Sequence, residues 1–118
     1  MDMIKKLLPT ALLLLFPVFA FVQTQTFDRD LYVGLRNDAD VTRLQEFLRT
    51  EKIYDGPITG NFFVLTKAAV INFQTREGIS PAAGYVGAIT RGRINKMLQI
   101  VADRSETMDR SETTNISE

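Results

Sequence analysis

The sequence of 118 residues contains no cysteine, no histidine and no tryptophan. Without cysteine there can be no disulfide, thiolate metal site, thiol nucleophile or lipid-bearing cysteine. Without histidine there is no imidazole of the kind used by most zinc hydrolases and by serine or cysteine triads. Basic and acidic side chains number 14 each, so the chain lacks the basic excess that nucleic acid requires. The composition therefore predicts no metal, no cofactor and no nucleic-acid partner.

The N-terminal segment has the pattern of a secretory leader. Lys5 and Lys6 precede an apolar run, Leu7–Val22, which is typical of a signal peptide. Val18 and Ala20 place small side chains at positions −3 and −1 of a cleavage site after residue 20. An uncleaved membrane anchor is the alternative, but the run of 16 residues is shorter than the roughly 20 needed to span a bilayer. We therefore predict a signal peptide over 1–20.

Composition divides the remainder into three parts. We assign 21–30 to a linker and 31–101 to the folded domain. In the last part, 102–118, the pentapeptide DRSET occurs twice and few apolar residues are present to offset the entropy of ordering. This predicts a disordered acidic tail. The alternative is that the last helix continues for a turn or two, because Glu, Arg and Met are tolerated in helices.

Hydrophobic periodicity in the folded part predicts three short helices. The first follows Asn37 and Asp38, both good N-cap residues. The second runs from about 64 to 76 and ends before Gly78, and the third runs from about 88 to 101. With two apolar residues from the connections, the predicted core is Leu44, Phe47, Leu48, Ile58, Phe62, Val70, Phe73, Ile94 and Leu98.

A short pattern in front of the second helix recurs in front of the third. Gly60, Phe62 and Thr66 reappear at identical spacing as Gly84, Val86 and Thr90. Glycine permits a positive φ, the apolar residue can be buried beneath the turn, and the threonine hydroxyl can satisfy a free amide at the helix start. The sequence therefore predicts two equivalent glycine bends.

The order of these motifs resembles that of the peptidoglycan-binding-like domain family. The matching segments are DVTRLQEFL (Asp40–Leu48), YDGPITGNF (Tyr54–Phe62), TKAAVINFQ (Thr66–Gln74) and GYVGAITRGRIN (Gly84–Asn95). The resemblance covers roughly residues 31–98. It implies a mainly α fold, a compact three-helix bundle with two Gly-rich loops, which binds the cell-wall polymer without catalysis.

Such binding needs a shallow groove, because a muropeptide offers sugar faces, amides and carboxylates. On this resemblance the candidate ligand-binding residues are Gln45, Tyr54, Gly56, Gly60, Asn61, Phe62 and Arg91. Each also has a structural interpretation. Phe62 is more often a core residue than a ligand wall, Gln45 more often binds a loop amide, and arginines such as Arg91 are usually solvated surface.

These observations lead to an expected function and an alternative. The expectation is an exported, non-catalytic module, secreted or held at the periplasm or cell wall, that binds peptidoglycan or muropeptide. The alternative is an envelope protein-protein interaction or scaffold domain with the same fold and no glycan site. It is favoured by Phe63 and Val64, which stand where the family often has glycine and proline. Contact with a membrane is expected only through an uncleaved leader.

Catalysis is not expected. Aspartates are available, but no pair of carboxylates stands in an apolar context that would raise the pKa of one of them, as glycoside hydrolysis requires.

Overall fold

The computed structural model describes residues 25–114, with side-chain positions as far as Asp109. Three helices follow one another: α1 (Ala39–Thr50), α2 (Val64–Arg76) and α3 (Ala88–Thr114). Within 25–114 the only β pairing is an isolated antiparallel bridge between Leu31 and Val86. The predicted three-helix, mainly α architecture is confirmed. The predicted leader and residues 115–118 lie outside the described residues.

Helix α1 begins where the sequence places its cap. The Asp38 carboxylate accepts hydrogen bonds from the backbone N–H groups of Asp40 at 2.9 Å and Val41 at 3.2 Å. These are two of the amides that a helix start leaves without an intrahelical partner. Arg29 donates to the carboxylates of Asp38 and Asp40, which ties the preceding segment to the helix start.

After each of the first two helices, the chain turns and runs back along the helix it has just left. Ile53 and Tyr54 donate their N–H groups to the carbonyl of Leu48 near the end of α1. In the same way Ile79 donates its N–H to the carbonyl of Gln74 near the end of α2. The glycine bends lie at the ends of these return segments, so each bend packs against the N-terminal half of the preceding helix.

The segment predicted as a linker is part of the fold over residues 25–30. Phe27 is buried in the core. The Asn95 side chain on α3 accepts a hydrogen bond from the Phe27 N–H and donates one to the Phe27 carbonyl. The guanidinium of Arg43 lies 4.6 Å from the centre of the Phe27 ring. The prediction was wrong here because Phe27 stands alone among polar residues, and its burial depends on α1 and α3 rather than on any local pattern.

The next residues connect both bends. Leu31 and Val86 exchange N–H···O bonds of 3.1 and 2.9 Å. Gly34 donates its N–H to the carbonyl of Phe62 at 2.9 Å, and Phe62 donates to the carbonyl of Leu35 at 2.8 Å. The N-terminal segment 27–35 therefore contacts α3 and pairs with both bends.

One hydrophobic cluster joins these parts. Phe47 of α1 and Phe73 of α2 meet edge to face, with ring centroids 5.5 Å apart. Seven predicted core residues are buried and two, Ile58 and Leu98, are partly buried against them. The buried hydrophobic residues that the core prediction omitted are Phe27, Leu31, Val41, Tyr54, Ala69 and Val86.

Helix α3 continues to Thr114, so the structure differs from the predicted disordered tail over 102–114. The alternative prediction of a helix extended by a turn or two is closer, but it is too short. Side chains 103–109 are all exposed, so this part of α3 is stabilised by helix propensity and not by burial. The hydroxyls of Ser105 and Thr107 donate to the carbonyls of Val101 and Asp103, so they are satisfied within the helix and do not compete with it.

The α1 cap gives a pH-dependent contribution to stability. Burial acts to raise the pKa of Asp38, but hydrogen bonds from Arg29 and from the Val41 N–H outweigh it and lower the pKa below its ordinary value. A carboxylate with a lowered folded-state pKa stabilises the fold above its unfolded pKa, and this contribution is lost as pH falls through the folded value. Asp38→Asn keeps a capping oxygen but has no charge to titrate.

We expect the free energy of unfolding of wild type to exceed that of Asp38→Asn at pH 6, and the difference to shrink toward pH 3. Urea denaturation at both pH values measures it. Asp55→Asn, at an exposed position between α1 and α2, is the control. A wild-type advantage of the same size at both pH values contradicts the assignment.

Candidate functional site

The first bend is closed by a side chain from α1. The Gln45 Oε1 accepts the backbone N–H groups of Thr59 at 2.9 Å and Gly60 at 3.1 Å. Its Nε2 donates to the carbonyl of Asn61 at 3.0 Å and to the Thr66 Oγ1 at 2.9 Å. Gln45 is fully buried, and this one amide satisfies four polar groups of the bend.

The second bend repeats the arrangement with a side chain from α2. The Gln74 Oε1 accepts the N–H of Gly84 at 2.9 Å, while its Nε2 donates to the carbonyl of Tyr85 at 2.8 Å and to the Thr90 Oγ1 at 3.1 Å. The two glutamines are 29 positions apart, whereas the bends are 24 apart. Aligning the sequence with itself at the 24-residue spacing therefore matches the two bends, but it does not match the two glutamines that close them.

Both bends require glycine for two reasons. Gly60 and Gly84 have φ of 76° and 78°, in the region that disfavours residues with a Cβ. A Cβ at Gly60 would lie 2.9 Å from the Thr42 Oγ1, and one at Gly84 would lie 2.6 Å from the Lys67 Cγ. The threonines differ from expectation, because their hydroxyls accept from the glutamine amides instead of capping a helix start.

Four of the seven predicted ligand-binding residues lie beneath the surface. Gln45 and Phe62 are fully buried, and Gly60 is packed against α1. Tyr54 is also buried, and its hydroxyl donates to the carbonyl of Pro57 at 2.7 Å. The buried side chains of Gln45 and Gln74 occupy the space between each bend and the preceding helix. Three of these four predicted residues belong to the first bend, whereas Tyr54 lies in the return segment beside Gly56.

The other three candidates are partly exposed but do not share one site. The carbonyl of Gly56 accepts from Arg49 in the last turn of α1. Asn61 lies at the opposite end of that helix, where its Oδ1 accepts the N–H of Asn37 at 3.0 Å. Arg91 lies in the first turns of α3, beside the second bend. Asn61 and Arg91 therefore flank the two bends, whereas Gly56 is a helix length away.

The exposed aromatic residues nearest the bends were not predicted as ligand contacts. Tyr32 and Tyr85 remain 48% and 46% exposed, and their rings are nearly parallel at an angle of 15°, with centroids 6.2 Å apart. On the neighbouring part of the surface, the Arg36 guanidinium lies 5.1 Å from the centre of the exposed Phe63 ring. We call this surface the bend face, formed by Tyr32, Arg36, Asn61, Phe63, Tyr85 and Arg91.

Charged groups fix part of the bend face. The Tyr85 hydroxyl donates to the Asp30 carboxylate, and this hydrogen bond raises the pKa of Tyr85. The Arg91 Nη2 lies 3.0 Å from the other oxygen of Asp30. The Arg91 Nε is buried and has no hydrogen-bond acceptor within 25–114. Because this N–H is buried, it is not open to a ligand at the surface.

A second concave surface lies between α1 and α3, away from the bend face. Its apolar walls are Phe27, Phe47, Met97, Leu98, Ile100 and Val101, and Glu46, Glu51, Glu106 and Asp109 stand among its polar residues. We call it the α1–α3 groove. It exists because α3 extends beyond the domain core, and the sequence prediction of a disordered tail did not anticipate it.

Two kinds of site are not found in the described part of the chain. No group of three or more acidic side chains there could hold a metal ion. Between residues 25 and 114 no helix has both the length and the apolar character needed to cross a bilayer.

Comparison with known proteins identifies the family. Residues 37–94 match the family model of the peptidoglycan binding domain. The crystal structure of the SleB N-terminal domain is similar, with a TM-score of 0.57 and 30% sequence identity, over 63% of this chain and 99% of that domain. No curated protein sequence matches the chain. The chain belongs to the peptidoglycan-binding domain family.

The buried amide of Gln74 is expected to stabilise the fold. Gln74→Ala leaves the N–H of Gly84 and the carbonyl of Tyr85 without partners and opens a cavity, which should cost about 2 to 4 kcal/mol of unfolding free energy. Chemical denaturation measures the loss. Gln99→Ala removes an exposed glutamine from α3 and should change stability by less than about 0.5 kcal/mol. Equal effects of the two substitutions would contradict the role assigned to Gln74.

Proposed function

We propose that the chain is an exported, non-catalytic module that binds bacterial cell-wall peptidoglycan, or a muropeptide derived from it, through the bend face. Family membership supports the ligand, and the exposed aromatic and basic groups around the two bends support the surface. The observation that carries the proposal is the closure of both bends by buried glutamines. Because the interior is filled, a ligand has to bind on the outer surface.

The chemistry of the bend face suits this polymer. Aromatic rings offer flat apolar contacts for sugars, the amide of Asn61 offers a donor for carbonyl groups, and Arg36 and Arg91 offer charge for the carboxylates of the stem peptide. Arg36 has no acidic partner within the described residues. Two of the residues predicted from sequence, Asn61 and Arg91, belong to this surface. The proposed location of the protein is the cell envelope or wall.

Binding without catalysis is supported by the family description, which names binding alone. It is also supported by the whole sequence, which lacks histidine and cysteine. A single module of this size presents a small contact surface, so we expect an affinity between about mM and μM. Tight retention on the wall would need a second module or a partner protein.

A second candidate function is recognition of another envelope protein, with no glycan site. It is favoured by the first turn of α2, where Val64 and Leu65 are 78% and 60% exposed next to Phe63. Apolar side chains at an exposed helix start are typical of protein contacts. The α1–α3 groove offers a further apolar surface of the same kind.

Sedimentation with insoluble peptidoglycan tests the main proposal. We expect the fragment 21–118 to be recovered with the polymer and not with insoluble cellulose, and Arg36→Ala/Arg91→Ala to reduce the bound fraction severalfold. Complete recovery of wild type in the supernatant contradicts wall binding. In that event, cross-linking in intact envelopes that is lost in Leu65→Asp would support the second candidate.

The leader has a separate test. We expect the native protein to begin at Phe21, because small residues precede that bond. Mass spectrometry of the protein isolated from cell-envelope and secreted fractions measures its N-terminus. A mature protein that still contains residues 1–20 would contradict cleavage.

A further inference from the structure

We propose that Tyr32 and Tyr85 form a saccharide subsite, which stacks against one pyranose ring of the glycan strand and does not bind the stem peptide. This inference rests on the proposed function and names the part of the polymer that the bend face contacts. Neither tyrosine is among the residues that the sequence pattern singled out.

The backbone sets the two tyrosines side by side. Leu31 and Val86 form an antiparallel pair and exchange both N–H···O bonds. Their neighbours Tyr32 and Tyr85 therefore occupy the next pair in register, where side chains on two strands stand close together. The rings are within 15° of parallel. Their centroids are 6.2 Å apart, too far for full face-to-face contact, and each residue remains about half exposed.

The Tyr85 side chain is held in place before any ligand arrives. Its hydroxyl donates to Asp30, and Asp30 is held in turn by Arg91. Fixing a side chain in advance lowers the entropy that binding has to offset. A core residue would not need this arrangement, because packing would fix its ring. Here a charged network fixes a ring that faces solvent.

The ligand that suits this surface is a sugar ring. The face of an aromatic ring carries partial negative charge, and the axial C–H groups of a pyranose carry partial positive charge, so the two attract when they stack. Beside the rings, the partly exposed Asp30 carboxylate can accept from a sugar hydroxyl or an acetamido N–H. An extended peptide instead needs unpaired backbone groups along an edge. Here Leu31 and Val86 already satisfy each other.

Titration of the ¹⁵N-labelled fragment 21–118 tests the subsite with two separate probes. One is an N-acetylglucosamine tetrasaccharide, which has no peptide, and the other is the free stem peptide, which has no sugar. We expect the saccharide to shift the amide resonances of residues 30–33 and 84–87, and the peptide to leave them in place. Tyr32→Ala and Tyr85→Ala should each weaken saccharide binding about tenfold.

Two variants separate stacking from other effects. Tyr85→Phe keeps the ring and loses only the hydrogen bond to Asp30, so it should retain more affinity than Tyr85→Ala. Ile89→Ala removes an exposed apolar side chain that lies outside the bend face and should bind as wild type does. Thermal melts establish that each variant is folded. If one tyrosine variant does not fold, the other carries the test.

The outcomes distinguish this inference from the proposed function. Wild type that sediments with peptidoglycan while Tyr32→Ala and Tyr85→Ala bind equally well overturns the saccharide subsite alone. Shifts in 30–33 and 84–87 caused by the stem peptide, and not by the saccharide, also overturn it. Wild type that binds neither the polymer nor either probe overturns the proposed function itself.

Discussion

The structure depends on one constraint, the need to satisfy the inward-facing backbone groups of two tight bends. A glycine with positive φ turns inward-facing amide and carbonyl groups toward the preceding helix. In each bend a glutamine on that helix supplies both an acceptor and a donor. Asparagine, with one methylene fewer, does not reach as far, and an apolar residue would leave several polar groups unpaired. Each glutamine thereby joins its helix, the return segment and the start of the next helix into one unit. This unit occurs twice, once after α1 and once after α2.

The closure of the two bends determines where a ligand can bind. With the space beside each helix filled by Gln45 or Gln74, the accessible surface is the outer one, where segment 27–35 crosses both bends. The same backbone pairing that completes the fold also brings Tyr32 next to Tyr85. Stability and recognition are therefore carried by different sets of residues: buried amides for the fold, and exposed rings and charges for the proposed contact.

The two candidate functions correspond to different surfaces. The bend face combines aromatic rings with paired and unpaired charges, which suits a polymer of sugars and carboxylates. The first turn of α2 and the α1–α3 groove are more apolar and suit a protein. The groove and the bend face do not exclude each other, because the groove lies between α1 and α3 and the bend face lies at the bends. The first turn of α2, in contrast, adjoins the bend face at Phe63. A wall-binding module with a weak single site gains retention when a partner protein holds it at the same place.

The sequence by itself determined the positions of the three helices as far as residue 101, the α1 cap and the two glycine bends. Each depends on residues close in the chain: Asp38 before α1, the 3.6-residue repeat of apolar positions, and glycine where φ is positive. The order of the motifs in the sequence also indicated the family. Only the tertiary structure decided the remainder. Gln45 and Phe62 became structural, and Phe27 entered the core through contacts with Arg43 and Asn95. Tyr32 met Tyr85 across 53 positions. These contacts join residues that are distant in the sequence. Their spacing depends on the lengths of the return segments, so no local sequence pattern predicts them.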